Sequence, residues 1–161
     1  MSIVDLWLSR TTIECTCHAA TRKGLPTMEW KLELVVIPVT DVDRSKHFYS
    51  EQLGFAVDHD TRIGDDVRVV QLTPPGSACS IAVGVGIVKS APGSVQGIQL
   101  VVSDIEAARA TLVERDVAVS AVQHFEGGVL VDGRGGDWNS FLFFSDPDGN
   151  GWTVQERPAT E

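Results

Sequence analysis

Apolar and polar residues follow the same order twice along this chain. A β-branched apolar run at 31–39 precedes an amphipathic segment at 41–53, which ends at Gly54, a residue favoured just after a helix. Thr40 is the predicted cap of this helix. Three shorter runs of strand composition follow, at 55–61, 67–73 and 78–83. The first half of the pattern therefore predicts one βαβββ module.

The second half of the pattern begins at residue 97. A strand is predicted at 97–102, Ser103 opens a capping box with Glu106, and a helix is predicted over 107–116. Further strands are predicted at 117–122, 141–145 and 152–155. The chain is thus predicted to be an α+β protein built from two tandem βαβββ modules.

The second module is longer than the first. Aligning the helix starts at Asp41 and Asp104 gives an offset of 63, whereas aligning the turns at Thr73 and Asp146 gives an offset of 73. We place the extra residues in the glycine-rich stretch 125–139, which has no regular pattern and is predicted to be a mobile loop.

Composition predicts where the folded domain begins. Residues 1–27 carry three basic and two acidic residues and end in a breaker-rich segment, so we interpret them as a leader outside the core, with Met28 as the natural start. Deleting this leader is expected to leave the melting temperature nearly unchanged. The predicted domain covers 28–157, with module one at about 31–84, a linker at 85–96, module two at about 97–157 and a tail at 158–161.

Charge and hydropathy exclude several classes of protein. Lys and Arg number 13 against 22 Asp and Glu, and the resulting net charge of −9 argues against nucleic-acid and anionic-membrane binding. No apolar stretch approaches the roughly 20 residues that a membrane span needs. An acid near the start argues against a secretory signal. We therefore expect a cytoplasmic protein.

The three cysteines do not form a disulfide framework, because Cys15 and Cys17 are too close in sequence and Cys79 lies in an apolar run. Cys15, Cys17 and His18 together are soft metal ligands, but a closed zinc site normally needs a second, separated pair of ligands. An ordinary leader is the better interpretation of this cluster.

Two segments carry a family resemblance: the sequence VTDVDRSKHFY at 39–49, followed by LGF at 53–55, and the sequence FFSDPDGN at 143–150. They resemble the vicinal oxygen chelate superfamily of glyoxalases, bleomycin-resistance proteins and extradiol dioxygenases, over about residues 31–157. The resemblance implies that the two modules curl into a cupped mixed sheet with the site inside the cup.

The resemblance also locates the metal ligands of the metal-dependent members. Their positions correspond here to Leu34 and Ser80 in module one, and to Gly97 and Thr153 in module two. None of these four side chains is a histidine, cysteine or carboxylate, which catalytic divalent metals require. We therefore expect no metal and no cofactor.

Strand alternation indicates which other side chains line the cup. Residues with the same parity as the former ligand positions add Val36, Ala82 and Val101 to an apolar lining without charge. Trp138 lies in the glycine-rich insertion, where an aromatic residue can cover a ligand or anchor the loop. The candidate ligand-binding residues are Ser80, Gln99, Trp138, Thr153 and Gln155. These groups can also simply satisfy one another in a packed core.

Two functions from different classes are consistent with this lining. The first is a metal-free protein that binds a neutral or aromatic small organic molecule. The second is a lyase, isomerase or dioxygenase-like enzyme of the same superfamily with a non-standard site, in which His59 or His124 acts as acid or base. A homodimer is expected in either case, because paired modules can complete a cup within one chain or between two.

Overall fold

Two βαβββ modules follow each other in residues 28–159, the part of the chain that this computed structural model describes. The leader at 1–27, with Cys15, Cys17 and His18, lies outside the described residues, as do the last two residues of the tail. The unit that carries both modules begins at Leu32. No helix in the described part is both long and apolar enough to cross a membrane.

Module one forms a four-stranded mixed sheet. Its strands are β1 (Leu34–Pro38), β2 (Ala56–Ile63), β3 (Val67–Thr73) and β4 (Ser80–Val85), in the spatial order β1-β4-β3-β2 with β1 parallel to β4. Helix α1 (Val42–His47) continues as one π-helical turn, Phe48–Gln52, before Gly54 ends it with a φ of 73°. A left-handed φ of this kind favours glycine over any residue with a Cβ.

Module two repeats this plan with one additional strand. Its elements are β5 (Ile98–Val102), α2 (Ile105–Glu114), β6 (Gln123–Glu126), β7 (Val129–Asp132), β8 (Phe141–Ser145) and β9 (Gly151–Glu156). The sheet order is β5-β9-β8-β6-β7, again with the first and last strands of the module parallel. The predicted α+β class with tandem βαβββ modules is confirmed.

The predicted insertion contains regular structure, which corrects the expectation of a mobile loop over 125–139. Strands β6 and β7 pair as a hairpin across Gly127 and Gly128, both of which have positive φ. The strand predicted at 117–122 is absent from the described chain as a ladder, and only an isolated bridge from Val119 to Phe144 remains there. The strand thus starts later than its apolar pattern suggested.

The observed cap of each helix lies one residue after the predicted cap. Asp41, not Thr40, accepts hydrogen bonds from the amides of Asp43 (2.9 Å) and Arg44 (3.0 Å). In α2 the cap is Asp104, not Ser103, and it accepts from the amide of Ala107 at 3.0 Å. An ionised carboxylate at the helix start also interacts favourably with the helix dipole, which gives aspartate an advantage over a neighbouring hydroxyl.

A single hydrophobic core lies between the modules. Alternate strand residues, such as Ile37, Val83 and Val154, face this core together with one side of each helix. At its centre Trp152 stacks on Phe144 at a ring distance of 5.9 Å and contacts Tyr49 and Phe55. Burial of these aromatic rings supplies much of the apolar surface that holds the modules together.

A buried polar cluster accompanies the aromatic rings, and we call Tyr49, Asp146 and Asn150 the clasp. The Tyr49 hydroxyl donates to Asp146 at 2.8 Å and accepts from the indole N–H of Trp152 at 3.2 Å. The Asn150 amide donates both to Asp146 (2.8 Å) and to the carbonyl of Pro38 in module one (3.0 Å). Burial, and then the Asp146 carboxylate, raise the pKa of Tyr49 far above its ordinary value, so its proton stays in place.

Candidate functional site

Module one presents a sheet face directed away from the core. In β1 and β4 the register pairs Leu34 with Ser80 and Val36 with Ala82, while the intervening residues Ile81 and Val83 enter the core. Because side chains alternate across a strand, the outward residues share one face. We call this the first cup face; it consists of Leu34, Val36, Gln71, Thr73, Ser80 and Ala82.

A chain of hydrogen bonds crosses the first cup face. Gln71 Nε2 donates to Ser80 Oγ at 3.3 Å, and the hydroxyls of Ser80 and Thr73 are 2.6 Å apart. Thr73 Oγ1 in turn donates to Asp58 Oδ2 at 2.5 Å. Ser80, a predicted site residue, is therefore part of a polar network that ends in a carboxylate.

Module two presents the corresponding face of its own sheet. The register pairs Gln99 with Thr153 and Val101 with Gln155, and β8 adds two aromatic rings beside them. The intervening residues Trp152 and Val154 belong to the core. We call this the second cup face; it consists of Gln99, Val101, Phe141, Phe143, Thr153 and Gln155.

The amide groups on the second cup face are ordered by hydrogen bonds. Gln99 Nε2 donates to Gln155 Oε1, and Gln155 Nε2 donates to the carbonyl of Trp138 at 2.6 Å. Gln155 is 1% exposed, whereas the Trp138 side chain is 49% exposed and its residue adopts a φ of 58°. The structure thus brings Gln99, Trp138, Thr153 and Gln155 together, and it places Ser80 on the other module's face.

The two candidate histidines differ in position. His59 pairs with Gln71 across β2 and β3, so it lies on the side of the first cup face. His124 follows Gln123, which pairs with Phe141 of the second cup face, so His124 points to the opposite side of the sheet. A ring nitrogen of His124 lies 3.0 Å from the carbonyl of Gly133. Only His59 is therefore placed to meet a molecule in the cup.

The residues at the family's ligand positions do not fit a divalent metal. The ladders pair Leu34 directly with Ser80, whereas they pair Thr153 with Gln99 and not with Gly97, which precedes β5. The side chains at these positions therefore offer the hydroxyls of Ser80 and Thr153 and the amide of Gln99, which are weak metal ligands. Within residues 28–159, no three His, Cys, Asp or Glu side chains group closely enough to hold a metal ion.

The comparison with known families agrees with this geometry. The family model described as the Glyoxalase/Bleomycin resistance protein/Dioxygenase superfamily matches residues 31–154. The chain belongs to this superfamily. The match spans both modules and therefore both cup faces.

Solved structures of the same superfamily are similar to this chain. TnmS3, an antibiotic binding protein from Streptomyces sp. CB03234, is 31% identical with a TM-score of 0.66, over 82% of this chain and 99% of that one. A glyoxalase/bleomycin resistance protein from the same organism is 32% identical with a TM-score of 0.61, over 78% and 99%. A superfamily member from Sphaerobacter thermophilus DSM 20745 is 29% identical with a TM-score of 0.66, over 81% and 100%. No functionally curated protein matches the chain.

Two clefts lie beside the cup faces rather than on them. One runs between the modules and is lined mainly by apolar side chains, including Leu53, Leu100 and Leu112. The other lies next to Trp138 and the ion pair of Arg134 with Glu156. Neither cleft is lined by the strand residues of a cup face. On those faces Leu34 and Val101 are exposed, whereas Ser80, Ala82 and Gln155 are buried.

The sequence did not identify Gln71 and Thr73 on the first cup face, Phe141 and Phe143 on the second, or Asp58 beside the first. Phe143 pairs with Thr153 across the turn, and Phe141 pairs with Gln155, so both rings are on the same side of the sheet as Thr153. The hairpin predicted from the sequence already contained this signal. Asp58 has the parity of Ala56, which pairs with Thr73, but the sequence did not predict the register of β2 against β3. The expectation of a cup without charge is therefore wrong.

Proposed function

We propose that this superfamily member binds a small, largely aromatic organic molecule in a metal-free cup. The observation that carries the proposal is the second cup face, where two aromatic rings lie beside the ordered amides of Gln99 and Gln155. Phe125 extends the aromatic surface, since its ring meets Phe141 edge to face at 5.6 Å. Such a surface offers ring stacking together with directional hydrogen bonds.

The similar protein TnmS3 supports this proposal, because it is an antibiotic binding protein and matches nearly its full length to this chain. The donor set at the former ligand positions also favours binding by shape and hydrogen bonds over metal chemistry. The ligand is then held by Gln99, Thr153, Gln155 and Trp138 from one side, and by Ser80 and its neighbours from the other.

We further propose that a second copy of the chain completes the cup. The two sheets form separate ladders, and residues on their outer faces remain open, with Leu34 38% and Val101 50% exposed. A symmetric homodimer would bring the first cup face of one copy against the second cup face of its partner. Burial of the exposed apolar side chains then contributes to association.

The experiment that tests binding uses a fluorescent polyaromatic probe, 9-methylanthracene, titrated into the full chain. We expect saturable binding, and Phe141→Ala should weaken it about tenfold or more because a stacking surface is lost. Val129→Ala is the matched control, since Val129 lies on β7 with the opposite orientation to Phe125. Absence of saturable binding, or equal effects of the two substitutions, would contradict the proposed function.

The assembly is tested separately by light scattering at micromolar concentration. A mass of two chains is the expected result, and a strict monomer would overturn the shared cup while leaving ligand binding to be judged by titration.

A catalytic alternative rests on His59, because this histidine lies on the side of the first cup face. A lyase or isomerase would use its imidazole as general acid or base. Mass spectrometry of the recovered ligand distinguishes the alternatives: a binding protein returns it unchanged, whereas an enzyme converts it in a manner abolished by His59→Gln.

A further inference from the structure

A carboxylate of β2, Asp58, lies on the side of the first cup face. Ala56 pairs with Thr73, so Asp58, two residues further along the strand, is on the same side and reaches Thr73. The pairing with β3 matches Val57 to Leu72 and His59 to Gln71, so Asp58 has no ladder partner. This β-bulge places His59 on the cup side next to Asp58.

The hydrogen bonds fix the direction in which the protons of this network point. An ionised Asp58 only accepts, so Thr73 must donate its single hydroxyl proton to Asp58. Ser80 must then donate to Thr73, and Ser80 itself accepts from the amide of Gln71. Every hydroxyl proton is thereby used within the network, and what remains toward the cup are lone pairs on Ser80, Thr73 and Asp58.

Asp58 also differs from the nearby carboxylate of Asp60. Asp60 accepts from Arg68 and from Lys46, each within 3.0 Å, on the other side of β2. None of the ion pairs in residues 28–159 includes Asp58. The charge of Asp60 is therefore compensated by the protein, whereas that of Asp58 faces the cup with a hydroxyl as its hydrogen-bond partner.

We propose that the first cup face selects ligands that present a hydrogen-bond donor, an ammonium or hydroxyl group, and that Asp58 determines this selectivity. The inference rests on the proposed binding function, and it adds the polar chemistry of the ligand to that function. A donor placed between Asp58 and Ser80 would meet only acceptors, and a charge-assisted hydrogen bond forms there. A ligand carboxylate at the same place would meet lone pairs and a like charge, which disfavours it.

The test uses three anthracene probes of the same ring system, titrated at physiological salt. 9-(Aminomethyl)anthracene carries a cationic donor, anthracene-9-carboxylate carries an anion, and 9-methylanthracene is the neutral reference. We expect the amine to bind at least about tenfold more tightly than the carboxylate. In Asp58→Asn the ratio of the two affinities should fall to about threefold or less, because the protein carboxylate that distinguishes the amine probe from the carboxylate probe is gone.

Asp65→Asn is the matched control, since it removes the same charge from the turn of the same hairpin but away from the network. It should keep the amine preference, which separates a local effect of Asp58 from the net charge of the chain. Equal ratios in Asp58→Asn and the parent protein, or an equal loss in Asp65→Asn, would overturn the selectivity. If 9-methylanthracene itself does not bind, it is the proposed binding function that fails.

Discussion

The first turns of the two helices are stabilised from different places. Helix α1 has its own cap, Asp41, and a second carboxylate from the other module: Asp148 accepts from the amide of Thr40 at 3.2 Å and from Arg44 at 2.9 Å. Helix α2 receives its second carboxylate from its own module, because Glu156 of β9 accepts from the amide of Ile105 at 3.1 Å.

This difference indicates a directional dependence between the modules, in which module one depends on module two more than module two depends on module one. The turn at 146–150 supplies both Asp148 and the clasp, so α1 is anchored by residues that module one does not contain. The first turn of α2 has its second carboxylate within its own module, and Glu156 is held in place by Arg134 at 2.7 Å. Module one contributes to α2 only at the other end, where Gln52 Nε2 donates to the carbonyl of Arg115 at 2.9 Å. We therefore expect substitutions in the turn to loosen module one more than module two.

The largest effect is expected for Asp146→Ala. The substitution removes the acceptor of the Tyr49 hydroxyl and one of the two acceptors of the Asn150 amide, so the Tyr49 hydroxyl proton and one amide proton of Asn150 lose their partners. We expect a loss of about 3–5 kcal/mol in the free energy of unfolding, measured by urea denaturation. Asp65→Ala, in an exposed turn, is the control, and a similar small loss for both would contradict the importance of the clasp.

Tyr49→Phe tests the same contact more gently. It keeps the ring packed against Trp152 but removes the hydroxyl that bridges the indole N–H and Asp146. A loss of about 1–3 kcal/mol in unfolding free energy is expected, because two buried polar groups each lose a partner. An unchanged urea midpoint would mean that the hydrogen bonds of this hydroxyl do not contribute to the free energy of unfolding.

The paired substitutions Asp148→Asn and Glu156→Gln compare the two helices directly. Each weakens one charge-assisted contact near a helix start, and each should cost about 1 kcal/mol. Amide hydrogen exchange distinguishes them: Asp148→Asn should accelerate exchange in α1, and Glu156→Gln in α2. Faster exchange of α2 rather than α1 in Asp148→Asn would refute the directional dependence.

The smallest effect on stability is expected from lowering the pH. The hydrogen bonds from Arg68 and then Lys46 hold the pKa of the Asp60 carboxyl well below its usual range. Such a group stabilises the fold above its unfolded pKa of about 4 and loses this contribution as the pH falls toward its folded pKa. The stability difference between the parent and Asp60→Asn should therefore shrink below about pH 4. A difference that grows there would contradict the ion-pair assignment.

The element pattern was predictable from the sequence because it depends on local periodicity. The strand predicted at 67–73 is β3 itself, and the other predicted elements, apart from the strand at 117–122, differ from the observed ones mainly at their ends. The two helix caps were each placed one residue early, since a hydroxyl and an aspartate stood side by side and local pattern does not weigh the charge of the carboxylate against the helix dipole. The hairpin β6–β7 was missed because glycines at its turn resembled a loop.

The cup faces were only partly predictable, because they depend on register between distant strands. Parity placed Gln99, Thr153 and Gln155 on one side of the sheet, which the ladders reproduce, while their role in binding stays a prediction. The resemblance placed Gly97 at a former ligand position, seven residues before Asp104, but Gln99 is the residue that pairs with Thr153, because the connection from strand to helix differs between the modules. Asp58 could not be placed from the sequence, since its position requires the register of β2 against β3.

The hairpin β6–β7 has a consequence for handling the protein in solution. Strand β7 is at the end of its sheet, and Val129 is 65% exposed, with Leu130 and Val131 also exposed beside it. A bare ladder edge with apolar side chains and no proline is a template for growth by further strands. Concentrated samples are expected to aggregate from this edge first, and Val131→Lys would act as a gatekeeper that improves colloidal stability without touching the cup.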